Sequence, residues 1–188
     1  MVLKRPVPRL SCSTSTGSPS LRAASRASGA NATRTGGVCV CKDGLTPVLD
    51  AIREADGLIL GSPNYLGNVS AATRALYERL VFQHITYDAE RYVENDRPIP
   101  VLFIMTSDVP VEAYAGCGCE SMVEGYRSML STAVGPTEVL LSGDTLQVKD
   151  YSKYFWTAFD ADEKRRRREE VFPEEMRRSY EMGRSLVR

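Results

Sequence analysis

The sequence predicts an α/β protein built around a parallel sheet. Helix-like and strand-like segments alternate after residue 41, and the strand-like segments are short, continuous apolar runs, which is typical of strands covered on both faces. Strands that alternate with helices favour parallel pairing through right-handed crossovers. With 188 residues, 43% of them hydrophobic, the chain is long enough for one domain with a real core. We assign residues 38–188 to this domain and residues 1–37 to a separate N-terminal segment.

The first half of the domain contains two predicted helices and a strand. Thr46, followed by a first-turn proline, predicts the N-cap of a helix of about ten residues. Residues 57–61 are an apolar run between glycines and predict a buried strand. Residues 62–68 contain Ser, Pro, Asn and Gly and predict a loop. Ser70 can then cap a second helix that extends to about Gln83.

The second half continues the alternation. The apolar runs 101–105 and 137–141 predict two further strands, and residues 121–133 between them predict a helix. Asp160 precedes a polar helical segment in capping-box spacing, and Pro173 predicts that a new helix begins there. Helices and strands therefore alternate from residue 46 to residue 141, and a helical tail follows.

The N-terminal segment does not predict the first strands of such a sheet. Residues 11–37 have Leu21 as their only large aliphatic side chain, and Pro6 and Pro8 disfavour a central strand before them. We predict that residues 1–37 are disordered or aberrant. The segment is rich in Arg and Ser and has no acid, which is also typical of an organelle transit peptide, so import is the alternative to a cytoplasmic location.

Charge and hydropathy exclude two classes of partner. The formal net charge is zero, but residues 1–42 hold seven of the 24 basic residues and no acidic residue. The remainder is therefore acidic, which argues against nucleic acid as a partner. No apolar run reaches the roughly 18 residues needed to cross a bilayer, which argues against a membrane partner.

The cysteine and charge patterns also allow metal or other binding sites, but ordinary structural roles are the favoured interpretation for each. Cys39 and Cys41, with the distant Cys12, do not supply the four thiolates of an iron–sulfur cluster. Cys117 and Cys119 could bind a soft metal, but small residues in a loop before a helix are the favoured interpretation. We therefore predict no metal site. The single histidine, His84, excludes a histidine metal site within one chain and predicts a helix end, and Arg165 to Arg168 predict a solvated, salt-bridged helix face.

Several segments resemble one family. The sequence from Cys39 to Leu45, the strand and loop 55–70, the segment from Arg74 to Arg79, and parts of residues 144–174 resemble the flavodoxin-like NAD(P)H-dependent FMN reductases and iron–sulfur flavoproteins. The resemblance covers about residues 38–188. It implies a flavodoxin-like, three-layer α/β/α fold with a parallel sheet ordered 2-1-3-4-5 and FMN at the carboxyl ends of the strands.

The resemblance also implies the cofactor-binding residues. The loop beside the isoalloxazine ring would consist of Ser62, Pro63, Asn64, Tyr65, Leu66, Gly67 and Asn68, with Tyr65 near the ring face. Thr106 and Ser107, after the next strand, would approach from the other side. Gly17, Ser18 and Pro19 match the letters of the phosphate loop, but their surroundings do not predict the strand and helix that such a loop joins. An ordinary strand-to-helix turn is the alternative for residues 62–68.

The implied function is that of an FMN-dependent NAD(P)H oxidoreductase. NADH or NADPH would reduce FMN, and electron transfer from the reduced FMN would go to a small-molecule acceptor such as a quinone or a second flavin. No side chain is assigned a catalytic role. Relatives are commonly homodimers, so a homodimer is expected. The alternatives are a non-catalytic remnant or interaction protein that no longer binds FMN, and an organelle-imported electron carrier.

Overall fold

The computed structural model describes residues 38–186 and confirms the flavodoxin-like α/β fold class. The helices are α1 (Thr46–Glu54), α2 (Ala71–Phe82), α3 (Cys119–Ala133), α4 (Ala161–Glu170) and α5 (Phe172–Ser185). The strands are β1 (Leu58–Tyr65), β2 (Asn68–Val69), β3 (Val101–Thr106) and β4 (Thr137–Ser142). Every helix and strand predicted from residue 46 onward is present, with ends shifted by a few residues.

The described strands form one sheet in the order β2-β1-β3-β4. β3 pairs in parallel with β1 and with β4, so that Leu60, Phe103 and Val139 lie in one row across the sheet. β2 pairs antiparallel with the end of β1. The three long strands therefore end together at one edge, where open α/β sheets bind ligands.

Helices cover both faces of this sheet, as the sequence predicts. Side chains alternate between the faces along a strand, and the row of Leu60, Phe103 and Val139 belongs to the core cluster that includes residues of α1, α2 and α3. On the opposite face, Ser142 donates a hydrogen bond of 2.6 Å to Glu175 of α5. The central strand β3 is consequently buried on both faces, which explains its continuous apolar sequence.

The helix starts agree with the sequence at two of three positions. Ser70 is the N-cap of α2 and its hydroxyl accepts from the N–H of Thr73, and Asp160 caps α4. The prediction for Thr46 was wrong by one residue, because Thr46 is the first residue of α1 and Leu45 precedes it as N-cap. The Thr46 hydroxyl instead accepts from the N–H of Asp43 and donates to Cys41 O, so it orders the segment before the helix.

The outer edge of β1 is open among the described residues. Along residues 58–63 this strand pairs with β3 only, and Ile59 remains 44% exposed. Unpaired N–H and C=O groups on a strand edge can template pairing with another strand. The two strands that a 2-1-3-4-5 order would place on this side are a prediction that lies outside the described residues.

The C-terminal helices are polar, as their sequence predicts. Arg165 and Arg166 pair with acids three residues earlier in α4, at 2.7 and 3.6 Å. This spacing confirms the salt-bridged face for Arg165 and Arg166, whereas Arg167 is only 17% exposed and pairs with Glu175 of α5. No helix within residues 38–186 combines the length and the apolar composition that crossing a membrane requires.

Candidate functional site

A tight β-hairpin lies at the carboxyl end of β1, where the sequence predicts a loop. β1 continues through Pro63 to Tyr65, and β2 returns from Asn68. The two residues at the tip, Leu66 and Gly67, have φ angles of 54° and 80°. Positive φ at both central residues is the requirement of the type I′ turn that joins antiparallel strands. The composition of residues 62–68 identified the turn but not the strands on either side of it.

The hairpin tip is exposed, whereas its base is fixed in the protein. Tyr65 is 64% exposed, and the side chain of Leu66 is fully exposed. Ser62 at the base is buried, donates to the carbonyl of Pro63 at 2.8 Å and accepts from the N–H of Ser70 at 2.9 Å. The hydrogen bond between Ser62 and Ser70 joins the two ends of the hairpin, so the exposed tip projects from a rigid support.

Leu66 combines two unfavourable features. For a residue with a Cβ, left-handed backbone costs roughly 1–2 kcal/mol, and this leucine also leaves its apolar side chain in water. Strained residues of this kind cluster at ligand-binding positions, where the surrounding structure holds them in place. The tip is therefore a candidate contact surface.

Asn64 connects the hairpin to helix α3. Its amide Nδ2 donates to Sγ of Cys119 across 3.4 Å, although 55 residues separate the two in the chain. Its Oδ1 is buried and has no hydrogen-bond partner among the described residues. A buried oxygen of this kind indicates a place for a donor, because leaving it unsatisfied costs about 1–3 kcal/mol.

Asn68 anchors the other side of the hairpin. Its Oδ1 accepts from its neighbour Val69 N–H and from the hydroxyl of Tyr126, both at 2.9 Å. Arg74 donates to the same hydroxyl at 3.1 Å. The hydrogen bonds to Tyr126 and Glu78 raise the pKa of Arg74, so this guanidinium is a fixed positive charge beside the hairpin.

The two residues predicted after β3, Thr106 and Ser107, differ in their accessibility. Ser107 is buried, and its hydroxyl lies 2.7 Å from Val109 O and 2.8 Å from the Tyr114 hydroxyl. Burial raises the pKa of Tyr114, and the Ser107 hydrogen bond opposes that rise. Thr106 is half-buried and lines a cavity of about 250 Å³, together with Thr145, Leu146, Arg167, Arg168 and Phe172. The Ser107 hydroxyl is thus engaged within the protein, whereas Thr106 lines a cavity.

Arg79 is a structural residue that the sequence does not reveal. Its side chain is 1% exposed and pairs with Asp43 at 2.5 Å. It also donates to the carbonyl of Cys41 at 2.8 Å and to Sγ of Cys39 at 3.3 Å. A charged residue on a helix ordinarily predicts a surface position, so the sequence did not predict the burial of Arg79. Arg79 therefore holds residues 39–43 against α2.

The cysteines form two separate pairs in the described part of the chain. Cys39 and Cys41 lie in the segment that Arg79 holds, and Cys117 and Cys119 lie at the start of α3. Within residues 38–186 no group of three or more His, Cys, Asp or Glu residues is placed to hold a metal ion. Cys12 and the Gly17-Ser18-Pro19 sequence lie outside the described residues.

Sequence comparisons identify one family and one relative to which this chain is similar. The model of a family described as NADPH-dependent FMN reductase matches residues 11–109, which include α1, β1, the hairpin, α2 and β3. The match also takes in residues 11–37. A segment of 51 residues is 43% identical to an iron-sulfur flavoprotein of Methanocaldococcus jannaschii and makes up 27% of this chain. The chain spans about a quarter of the length of that relative, 26%.

Proposed function

The chain belongs to the NADPH-dependent FMN reductase family, and on this premise we propose that it is an FMN-dependent NAD(P)H oxidoreductase. Its reducing substrate is NADH or NADPH, and its oxidising substrate is a small acceptor such as a quinone or a second flavin. The proposed cofactor-binding residues are those of the hairpin and of the loop after β3.

One observation carries the proposal most directly. The β1–β2 hairpin lies at the carboxyl end of a parallel strand, inside the range that the family matches, and exposes Tyr65 and a strained Leu66. Ligands of open α/β sheets bind at this edge. A type I′ turn favours Asn, Asp or Gly at this left-handed position, so the turn alone does not explain an exposed leucine there.

The residues present fit an isoalloxazine ring. The ring carries an N–H donor, and the buried Oδ1 of Asn64 is an acceptor without a described partner. At Gly67, nothing lies within 4 Å of the position that a Cβ would occupy, so a ligand can approach the backbone closely. Tyr65 offers an exposed aromatic surface for packing.

Bound FMN would supply the redox chemistry, since it accepts a hydride from NAD(P)H and returns electrons to an acceptor. The protein positions and shields it. Tyr65 would pack against the ring, the hairpin backbone would hydrogen-bond its edge, and Thr106 would approach it from the next strand. The side chains of Ser62, Ser107 and Asn68 would support the shape of the site, because their hydroxyl or carbonyl oxygens are engaged within the protein. No side chain is required as an acid or base.

Fluorescence titration of the full-length chain with FMN tests the proposed site. Tyr65→Ala should raise the dissociation constant about 2–10-fold, the value of one aromatic contact. Tyr180→Ala is the matched control, because Tyr180 on α5 is 67% exposed against 64% for Tyr65. Equal affinities for the two variants would reject the hairpin as the site, and a wild-type chain that binds no FMN would reject the proposed function.

The edge of β1 that no described strand covers along residues 58–63 favours a second candidate function. A chain that had lost FMN binding could use this edge to pair with another strand, as an interaction protein. Analytical ultracentrifugation separates the candidates. Flavin-free protein whose association increases with concentration supports the interaction role, whereas the proposed reductase is expected to be a flavin-containing homodimer.

A further inference from the structure

A pair of cysteine side chains meets at the start of helix α3. The sulfur atoms of Cys117 and Cys119 lie 2.9 Å apart. Gly118 between them has a φ of 74°, a left-handed conformation that glycine adopts without strain. This turn directs both side chains to the same side of the chain. A disulfide bond measures about 2.05 Å, so only a small movement is needed to join the two sulfurs.

The two thiols have different environments. Cys117 is exposed, whereas Cys119 is only 2% exposed and its Sγ accepts from the Asn64 amide. The hydrogen bond between the two thiols, and then the one with the backbone of Cys119, lowers the pKa of Cys117. Burial raises the pKa of Cys119. One accessible thiol that loses its proton readily beside one buried thiol that retains it is the arrangement of an attacking and a resolving cysteine.

We propose that Cys117 and Cys119 form a redox-active dithiol that exchanges with disulfide substrates. The Cys117 thiolate attacks one sulfur of a substrate disulfide, forms a mixed disulfide and releases the first substrate thiol, which takes up a proton. Cys119 loses its proton and attacks the Cys117 sulfur, which releases the second substrate thiol. The substrate gains two electrons and two protons, and the chain keeps a Cys117–Cys119 disulfide.

This site is independent of the proposed FMN activity, because neither step needs a cofactor. It nevertheless lies beside the hairpin, since Asn64 contacts Cys119 directly. The other pair, Cys39 and Cys41, has the same one-residue spacing but a different setting. Cys39 accepts a hydrogen bond from Arg79, and the intervening residue is valine rather than glycine. Cys39 and Cys41 are therefore an internal control for the spacing alone.

The test uses reduced full-length protein incubated with glutathione disulfide. Intact mass should fall by two hydrogen atoms, and peptide mapping should locate the new link between Cys117 and Cys119. Excess glutathione should reverse it. The Cys117–Cys119 link should form faster than a link between Cys39 and Cys41, because Cys117 is exposed whereas Cys39 and Cys41 are both partly buried.

Three variants identify the roles of the thiols. Cys119→Ser should accumulate a glutathione adduct on residue 117, whereas Cys117→Ser should form no adduct at the buried residue 119. Cys41→Ser should react as the wild type does. Because Cys117 is exposed, its replacement keeps the test valid even if Cys119→Ser fails to fold. The proposal is overturned if the wild-type mass stays unchanged, or if both cysteine pairs form links at the same rate.

Discussion

The buried pair of Arg79 and Asp43 leads to a quantitative prediction. Arg79→Met keeps most of the apolar stem of the side chain and removes the guanidinium. The side chains of Arg79 and Asp43 are only 1% and 8% exposed, so the substitution removes a buried positive charge from beside the Asp43 carboxylate. Removing one partner of a buried ion pair costs about 3–5 kcal/mol.

The structure indicates the lower end of that range. Asp43 keeps the hydrogen bond from the N–H of Leu45 at 3.0 Å, which still stabilises its carboxylate. We therefore expect Arg79→Met to lower the free energy of unfolding by about 3 kcal/mol. With a slope of about 1–3 kcal/mol per molar in urea, the unfolding midpoint falls by 1 M or more.

Urea unfolding of the full-length chain, followed by circular dichroism, measures this change. Arg127→Met is the matched control, because Arg127 pairs with Glu124 at 2.5 Å on an exposed surface and its loss should barely move the midpoint. The double variant Arg79→Met/Asp43→Asn should lose less than the sum of the single variants. A loss below about 1 kcal/mol for Arg79→Met, the level of a surface pair, would refute the reasoning.

Three further predictions concern other parts of the fold. Burial lowers the pKa of His84, so the folded state disfavours the protonated imidazole. The free energy of unfolding should therefore be constant above about pH 6.5 and decrease below it. In a pH series of urea unfolding curves, His84→Gln should flatten that decrease. Ser70→Ala removes the N-cap of α2 and should cost about 1 kcal/mol in the same assay, against no loss for Ser70→Asp. Lys164→Met removes the partner that lies 2.6 Å from Asp144, which is a quarter exposed, and should lower the free energy of unfolding by about 1–3 kcal/mol. Lys153→Met, at an exposed pair, should change this free energy little. Equal effects of the two substitutions would contradict the burial of the Lys164–Asp144 pair.

The regular elements could be predicted because their patterns are local. The continuous apolar run of β3 reflects burial on both faces, and Ser70 marks the start of α2 through its own hydrogen bond. The hairpin was missed in part. Pro63 and Asn64 are residue types that disfavour strands, yet they continue β1 at the edge of the sheet. Pro63 has no N–H to donate, but no described strand lies on its outer side, so no hydrogen bond between strands is lost there.

The long-range features could not be predicted, because sequence spacing does not reveal them. Lys164 lies in a run of charged residues that predicts a solvated helix, but its side chain is 3% exposed and contacts Asp144. The meeting of Asn64 with Cys119 depends on the placement of α3 against β1. Only the fold shows that the Ser107 hydroxyl is hydrogen-bonded to the hydroxyl of Tyr114.

The absorbance spectrum of the purified full-length protein, recorded before and after addition of FMN and gel filtration, tests the central claim most directly. The proposed function predicts flavin absorption bands that stay with the protein and that NADH or NADPH bleaches in the absence of oxygen. A colourless protein that takes up no FMN would contradict the proposed function and leave only the family relationship.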